Sequence, residues 1–122
     1  MLDSTEKIRR LERALAYGGT HRVSDMVELA RGGKVQFHEL RDACIVTEIT
    51  SFPLVRTVNF WTISGNLKDI VELEPGICAW AVEHGCTVAT ASGRPGWGKV
   101  GAPLGWKIHW PSFIKPLVGT DQ

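Results

Sequence analysis

The spacing of apolar residues changes period twice along this chain, from helical to alternating and back, and that succession restricts the fold to mixed α and β. Residues 4–17 read as a helix: Ile8, Leu11 and Leu15 share one stripe, Asp3 with Glu6 makes a capping-box-like start, and Gly18-Gly19 stops it. A second helix over 22–31 carries Val23, Met26, Val27 and Ala30 and ends at Gly32-Gly33. KVQFHEL then places Val35 and Phe37 on one face. Arg41-Asp42 turns the chain into ACIVTEIT, and SFP turns it again into LVRTVNFWTI. These three runs, rich in β-branched and aromatic residues, predict an antiparallel meander.

Residues 67–84 return to helical spacing through Leu67, Ile70, Ile77 and Ala81, with Gly85 as the stop. Pro75 inside the run predicts a kink or a restarted helix capped by Glu74. TVATAS is a short strand, and WKIHWPSFIKPL reads as a last one with Pro111 at a bulge or edge. The expected order is therefore ααβββαβαβ. Strand, helix and strand over 54–92 leave room for a parallel crossover beside the meander. A single α+β domain over residues 1–122 is expected, with a mixed, mostly antiparallel sheet of five or six strands flanked by helices.

Net charge is +1 with Lys and Arg scattered, whereas a protein that binds nucleic-acid backbone carries a clustered basic face. No apolar run reaches the ~18 residues of a membrane span, and the first residues show no apolar signal core. Neither a nucleic acid nor a membrane is an expected partner. Cys44, Cys78 and Cys86, an odd number, read as reduced thiols of a cytosolic protein.

Gly96, Gly98 and Gly101 spell the dinucleotide fingerprint G-x-G-x-x-G directly after TVATAS. That fingerprint belongs to a first βαβ unit, with an acidic residue about 20 positions on that holds the ribose. Only 21 residues follow Gly101, too few for the rest of such a sheet, and the acid at that spacing is Asp121 in the terminal tail. The stretch reads better as a short helix that begins at Pro95 between Gly93 and Gly105, with Trp97, Val100 and Leu104 on one face. Trp97 is expected to anchor it on the sheet, and Trp106 to open the final strand.

Cys78, His84 and Cys86 lie close in sequence but lack a fourth ligand, and Cys78 falls on a helical core stripe, so no metal site is expected. A cysteine nucleophile would need His38, His84 or His109 beside it in space. Arg94, between a strand and a helix, can hold an anion or a partner's carboxylate, or pair internally with Glu83 or Asp69.

VTEI at 46–49, WTISGNLKDIVELEP at 61–75, AWAVEHGCTVATASGRPGWGKVGAPLGW at 79–106 and Lys115-Pro116-Leu117 together resemble the GNAT family of acyl-CoA-dependent N-acyltransferases. More closely, they resemble the short GNAT-like proteins of tailed bacteriophages and prophages, over about residues 20–117; residues 1–19 lie outside the likeness. The resemblance implies a three-layer GNAT-like fold. It also implies a CoA-pyrophosphate turn where this chain has Ser64-Gly65-Asn66-Leu67-Lys68, so Gly65, Asn66 and Lys68 become the weak candidate cofactor contacts. Glu48 falls where some members carry a general base, or else is a solvent-facing carboxylate on an alternating strand. The tyrosine that many members place before their last Gly-aromatic pair falls here on Gly101, and the only tyrosine is Tyr17.

The family's pyrophosphate turn carries a pair of glycines, of which this chain keeps only Gly65. That loss and the loss of the tyrosine lead to a first expectation: a non-catalytic phage or prophage protein without cofactor. It would serve in the virion or in contacts with other phage proteins or a host protein, through Arg94, Trp97 and Trp106, in the host cytoplasm or the particle. A divergent acetyl-CoA-dependent N-acyltransferase with Glu48 as base is the alternative. A small inhibitor of a host defence protein is the third.

Overall fold

Ser4 opens the first helix, α1 (Thr5–Gly18), its hydroxyl accepting the Lys7 N–H at 3.0 Å. Gly19, at φ 68°, closes it by donating its N–H to the Leu15 carbonyl. The cap is thus Ser4; Asp3, the expected cap, lies outside the residues that the computed structural model describes, which are 4–93, 96–109 and 113–118. The second helix, α2 (Val23–Arg31), starts where Glu12 of α1 accepts the Val23 N–H at 3.1 Å. A carboxylate of one helix therefore caps the next. Leu11, Leu15, Val23 and Met26 pack with Val35, Cys44 and Val46 into one buried cluster.

Strands β1 (Gln36–Leu40), β2 (Ala43–Ser51) and β3 (Arg56–Ser64) form the expected antiparallel meander. Helix α3 (Leu67–Glu83) carries the chain across to β4 (Val88–Ala91), which pairs parallel with β3, giving the sheet order β1-β2-β3-β4. The register identifies the layers. Glu39 lies opposite Cys44, and its carboxylate meets Lys7 of α1; His38 lies opposite Ile45, and its ring meets Trp80 of α3. Since neighbouring residues of a strand point to opposite faces, α1 and α2 cover one face of the sheet and α3 the other. The fold is α+β in three layers.

Trp61 has no partner on β2, because Val46 pairs with Thr62 while Thr47 pairs with Phe60. This β-bulge turns Trp61 toward the α1/α2 cluster, against which it packs. Thr62 beside it is buried, and among the described residues its hydroxyl has no hydrogen-bond partner.

Two expectations are corrected. Helix α3 continues through Pro75 as one element and does not restart there; Glu74 lies inside it, buried, and accepts the Cys78 S–H at 3.1 Å. Ile70 on one side of the proline and Ile77 and Ala81 on the other are all buried, so packing of both halves overrides the local break. The sheet has four strands among the described residues, because residues 106–109 and 113–118 form no strand. Pro116 can donate no ladder bond there. Trp110 and Pro111 lie outside the described residues.

The chain divides into two compact units, Met1–Ser92, which holds the sheet, and Gly93–Gln122. In the second, α4 (Trp97–Gly101) continues as a 3₁₀ turn (Ala102–Leu104) closed by Gly105 at φ 94°. The chain then doubles back along the glycine face of this helix. A Cβ on Gly101 would stand 2.9 Å from the Trp106 Cβ, and one on Gly98 would stand 3.4 Å from Ile108 Cδ1. Of the glycines that spell a cofactor fingerprint, Gly101 is the one a close approach requires, that of the Trp106 side chain; Gly98 meets Ile108 at ordinary contact distance, and nothing lies within 4 Å of a Cβ on Gly96.

Candidate functional site

The segment 64–68 joins β3 to α3, where successive N–H groups and the helix dipole make an anion site if they are left open. Gly65 sits at φ 114° with its Cα against the β1–β2 turn: a Cβ there would lie 2.4 Å from the Asp42 carbonyl oxygen and 2.7 Å from Ala43 Cα. Asn66 is the N-cap, and its side-chain oxygen accepts the Lys68 N–H at 2.9 Å. Asp69, in the first turn, accepts Arg41 Nε at 2.8 Å. That bond holds its carboxyl below the usual carboxylate range, with a further backbone N–H from Asp42. The same guanidinium also binds Glu72 one turn on. Arg41 itself stands at φ 49°, an uncommon backbone state for a residue with a side chain.

Of the three expected cofactor contacts, then, Gly65 packs on a turn, Asn66 caps its own helix, and Lys68 is exposed. Two carboxylates and an amide oxygen occupy the region a pyrophosphate would enter, and the nearby arginine is bound to both carboxylates. These residues do not fit a pyrophosphate. From the sequence Arg41 reads as a turn residue and Asp69 as a candidate partner of Arg94; their pairing with each other depends on the fold, although an acid at the third helical position is a readable signal.

Glu48 is half-buried on the α1/α2 face of the sheet. Its Oε1 accepts Asn59 Nδ2 at 3.1 Å from the facing strand, and Asn59 Oδ1 accepts the Thr90 hydroxyl of β4 at 3.0 Å. A carboxylate oriented by an amide across three strands is a possible proton acceptor, and Asn59 and Thr90 were not singled out from the sequence. A cleft of about 320 Å³ opens where α1 meets α2, lined by Glu12, Leu15, Thr20, His21 and Arg22. His21 packs edge-on against Trp61 with ring centroids 4.7 Å apart.

The cysteine and histidine candidates do not converge. Cys78 donates to Glu74 and Cys86 is buried, while His84 Nδ1 donates to the Trp80 carbonyl at 2.8 Å. Among the described residues no three His, Cys, Asp or Glu side chains come together as a metal cage. Burial pushes the Cys44 thiol up to about 12; burial and the hydrogen bond to Glu74 do the same to Cys78. Such thiols are protonated and poor nucleophiles at neutral pH.

His38 is more constrained. The Thr47 hydroxyl donates its one proton to Gln36 Oε1 at 3.1 Å, so it accepts from His38 Nε2–H at 2.8 Å. The ring also packs on Trp80, with centroids 4.8 Å apart. Burial lowers the His38 pKa. The fold thus favours the neutral ring while the unfolded chain protonates near 6.5, so this contribution is complete above that pH and is lost progressively as pH falls from there through the lowered pKa of the folded state. Thermal unfolding compared at about pH 7.5 and about pH 5.5 should show a larger loss on acidification for the wild type than for His38→Gln. Equal losses would remove His38 from the pH response.

Arg94 lies outside the described residues. Trp97 and Trp106 are half-buried: Trp97 lies against Gly93, and Trp106 fills the space over Gly101 where a tyrosine side chain would have to stand.

No protein-family model matches the chain, and no curated protein matches it. Solved structures do. One described as a probable acetyltransferase superposes with a TM-score of 0.70 at 11% identity, over 90% of this chain and 89% of that one. The protein TTHA1254 from Thermus thermophilus superposes with a TM-score of 0.63 at 16% identity, over 97% of this chain and 95% of its own. At such identities the likeness speaks for architecture alone: this chain has an α+β fold, a mixed four-stranded sheet among the described residues flanked by helices, similar to that of the structure described as a probable acetyltransferase.

Proposed function

We propose that this chain is a non-catalytic contact protein built on a GNAT-like scaffold. The observation that carries the reading is the N-terminus of α3, where Asn66, Asp69 and Glu72 take the place and the positive potential that a CoA pyrophosphate needs. Gly101, on which the family's tyrosine falls, supports it from the second unit: it carries no side chain, and Trp106 stands where one would have to be. The role that remains is to hold another macromolecule, for which fold and surface suffice. A place among phage or prophage structural proteins is the specific form of this reading, and the resemblance of residues 20–117 is its support.

Titration with acetyl-CoA, followed by calorimetry and by the amide resonances of Gly65, Asn66 and Lys68, is expected to show no saturable binding up to about 1 mM, weaker than about −4 kcal/mol. Micromolar binding would overturn the proposal. It would favour the second reading, a divergent N-acyltransferase, for which the oriented carboxylate of Glu48 speaks. Release of CoA with an amine substrate, lost in Glu48→Gln, is what that reading requires.

A further inference from the structure

The two units differ in charge. Residues 1–92 carry ten Lys and Arg against twelve Asp and Glu, whereas residues 93–122 carry four against one. No carboxylate residue occurs between Glu83 and Asp121. Large apolar side chains are exposed in both units, Leu54 and Val82 of the first among them, but they crowd together in the second: Ile108 is 85% exposed, Phe113 94%, Ile114 96%, Leu117 89% and Val118 72%. Lys115 stands among them and Lys107 directly before them; both are exposed, as is Lys99 on α4. Five such side chains within eleven residues exceed the scattered exposure usual on a monomer.

We propose that the second unit docks peripherally on an anionic lipid bilayer, with Phe113, Ile114, Leu117 and Val118 entering the interface and Lys107 and Lys115 meeting the headgroups. The sign of the charge selects an anionic partner. The aliphatic side chains argue against nucleic acid, whose backbone rewards cations and whose bases reward aromatic stacking. Between a bilayer and an acidic protein, the form of the segment decides. A close-packed protein interface would have to order this segment on contact, at a cost in entropy, since residues 113–118 form neither helix nor strand. A bilayer interface is fluid and takes irregularly spaced apolar groups singly, while the headgroup region keeps the backbone hydrated. Docking of this kind does not require a spanning element, and no helix among the described residues is long and apolar enough to be one. This goes beyond the proposed contact role and stands apart from the acetyl-CoA titration, so either can fail alone.

The test is co-flotation of the full chain with vesicles of phosphatidylcholine alone and with about 30% phosphatidylglycerol, at low salt and at ~0.5 M salt. Binding is expected on the anionic vesicles, at least about tenfold weaker on the neutral ones, and largely lost at high salt. Lys107→Glu with Lys115→Glu should weaken it by about 25-fold or more, roughly fivefold for each lysine removed. Phe113→Ser with Ile114→Ser should weaken it by about tenfold or more. All four positions are exposed, so unfolding temperatures should stay unchanged and a loss of binding is not a loss of fold. Equal binding to both vesicle types, or none to the anionic ones, overturns the proposal. So does light scattering that shows dimers abolished by the Phe113 and Ile114 changes without vesicle binding, because the surface then belongs to a second copy.

Discussion

Replacing Gly65 by alanine is expected to destabilise the sheet-containing unit by about 3–5 kcal/mol, one of the largest effects open to a single methyl group here. Two costs combine. An L-residue at φ 114° is strained, and the new Cβ would stand 2.4 Å from the Asp42 carbonyl oxygen and 2.7 Å from Ala43 Cα. Both obstacles are backbone, so no rotamer change relieves them. The β1–β2 turn would have to move, and that turn positions Arg41 for its bonds to Asp69 and Glu72. Against a total stability of about 5–15 kcal/mol, a melting temperature lower by roughly 15 °C or more should follow, read by circular dichroism. Gly76→Ala is the matched control. It lies within α3 with nothing within 4 Å of its would-be Cβ, so alanine should raise stability by about 0.5–1 kcal/mol. A Gly65→Ala protein as stable as the wild type would mean that the glycine does not serve packing, and a ligand role would have to be considered again.

That experiment also separates two meanings of one residue. A glycine before a helix reads in sequence as a phosphate turn; in the fold it is the point where two loops touch. Sequence cannot distinguish these, because the neighbour that requires the glycine, Asp42, is 23 positions away. The same holds for Gly101, whose meaning depends on Trp106 doubling back over it. By contrast α1, α2, the meander and the crossover were legible, since each follows from periodicity within its own window plus a local stop such as Gly19. Pro75 misled because its cost is local while the compensation, Ile70 and Ile77 on the sheet, is tertiary. The described parts of WKIHWPSFIKPL, 106–109 and 113–117, misled in the other direction, as composition favours a strand but a strand needs a partner to pair with. In the candidate site, Glu48 was visible as a residue, and its orientation by Asn59 was not, because cross-strand neighbours depend on register.

Phe60→Ala, the other change with a large expected effect, tests that register. Phe60 is 2% exposed and pairs with Thr47 on one side and Ala91 on the other, where the antiparallel and parallel ladders meet. Truncation should cost about 3–5 kcal/mol, since the packed surroundings relax only partly into the cavity. Trp61→Ala, at a half-buried position, should cost less, about 2 kcal/mol. Location is more informative than size. With Trp61 as the unpaired residue of the bulge, Phe60 shares the face of Thr47, which α3 covers, and Trp61 turns to the cluster of α1 and α2. Phe60→Ala should therefore raise amide hydrogen exchange chiefly in α3, and Trp61→Ala chiefly in α1 and α2. Without the bulge, pairing Thr47 directly with Trp61 would exchange the two faces, and the two exchange patterns would trade places. The polar row of Glu48, Asn59 and Thr90 depends on the same one-residue shift, because only then does Glu48 lie opposite Asn59. Exchange patterns that come out reversed would thus remove the orienting amide from Glu48, and with it the structural support for the acyltransferase reading.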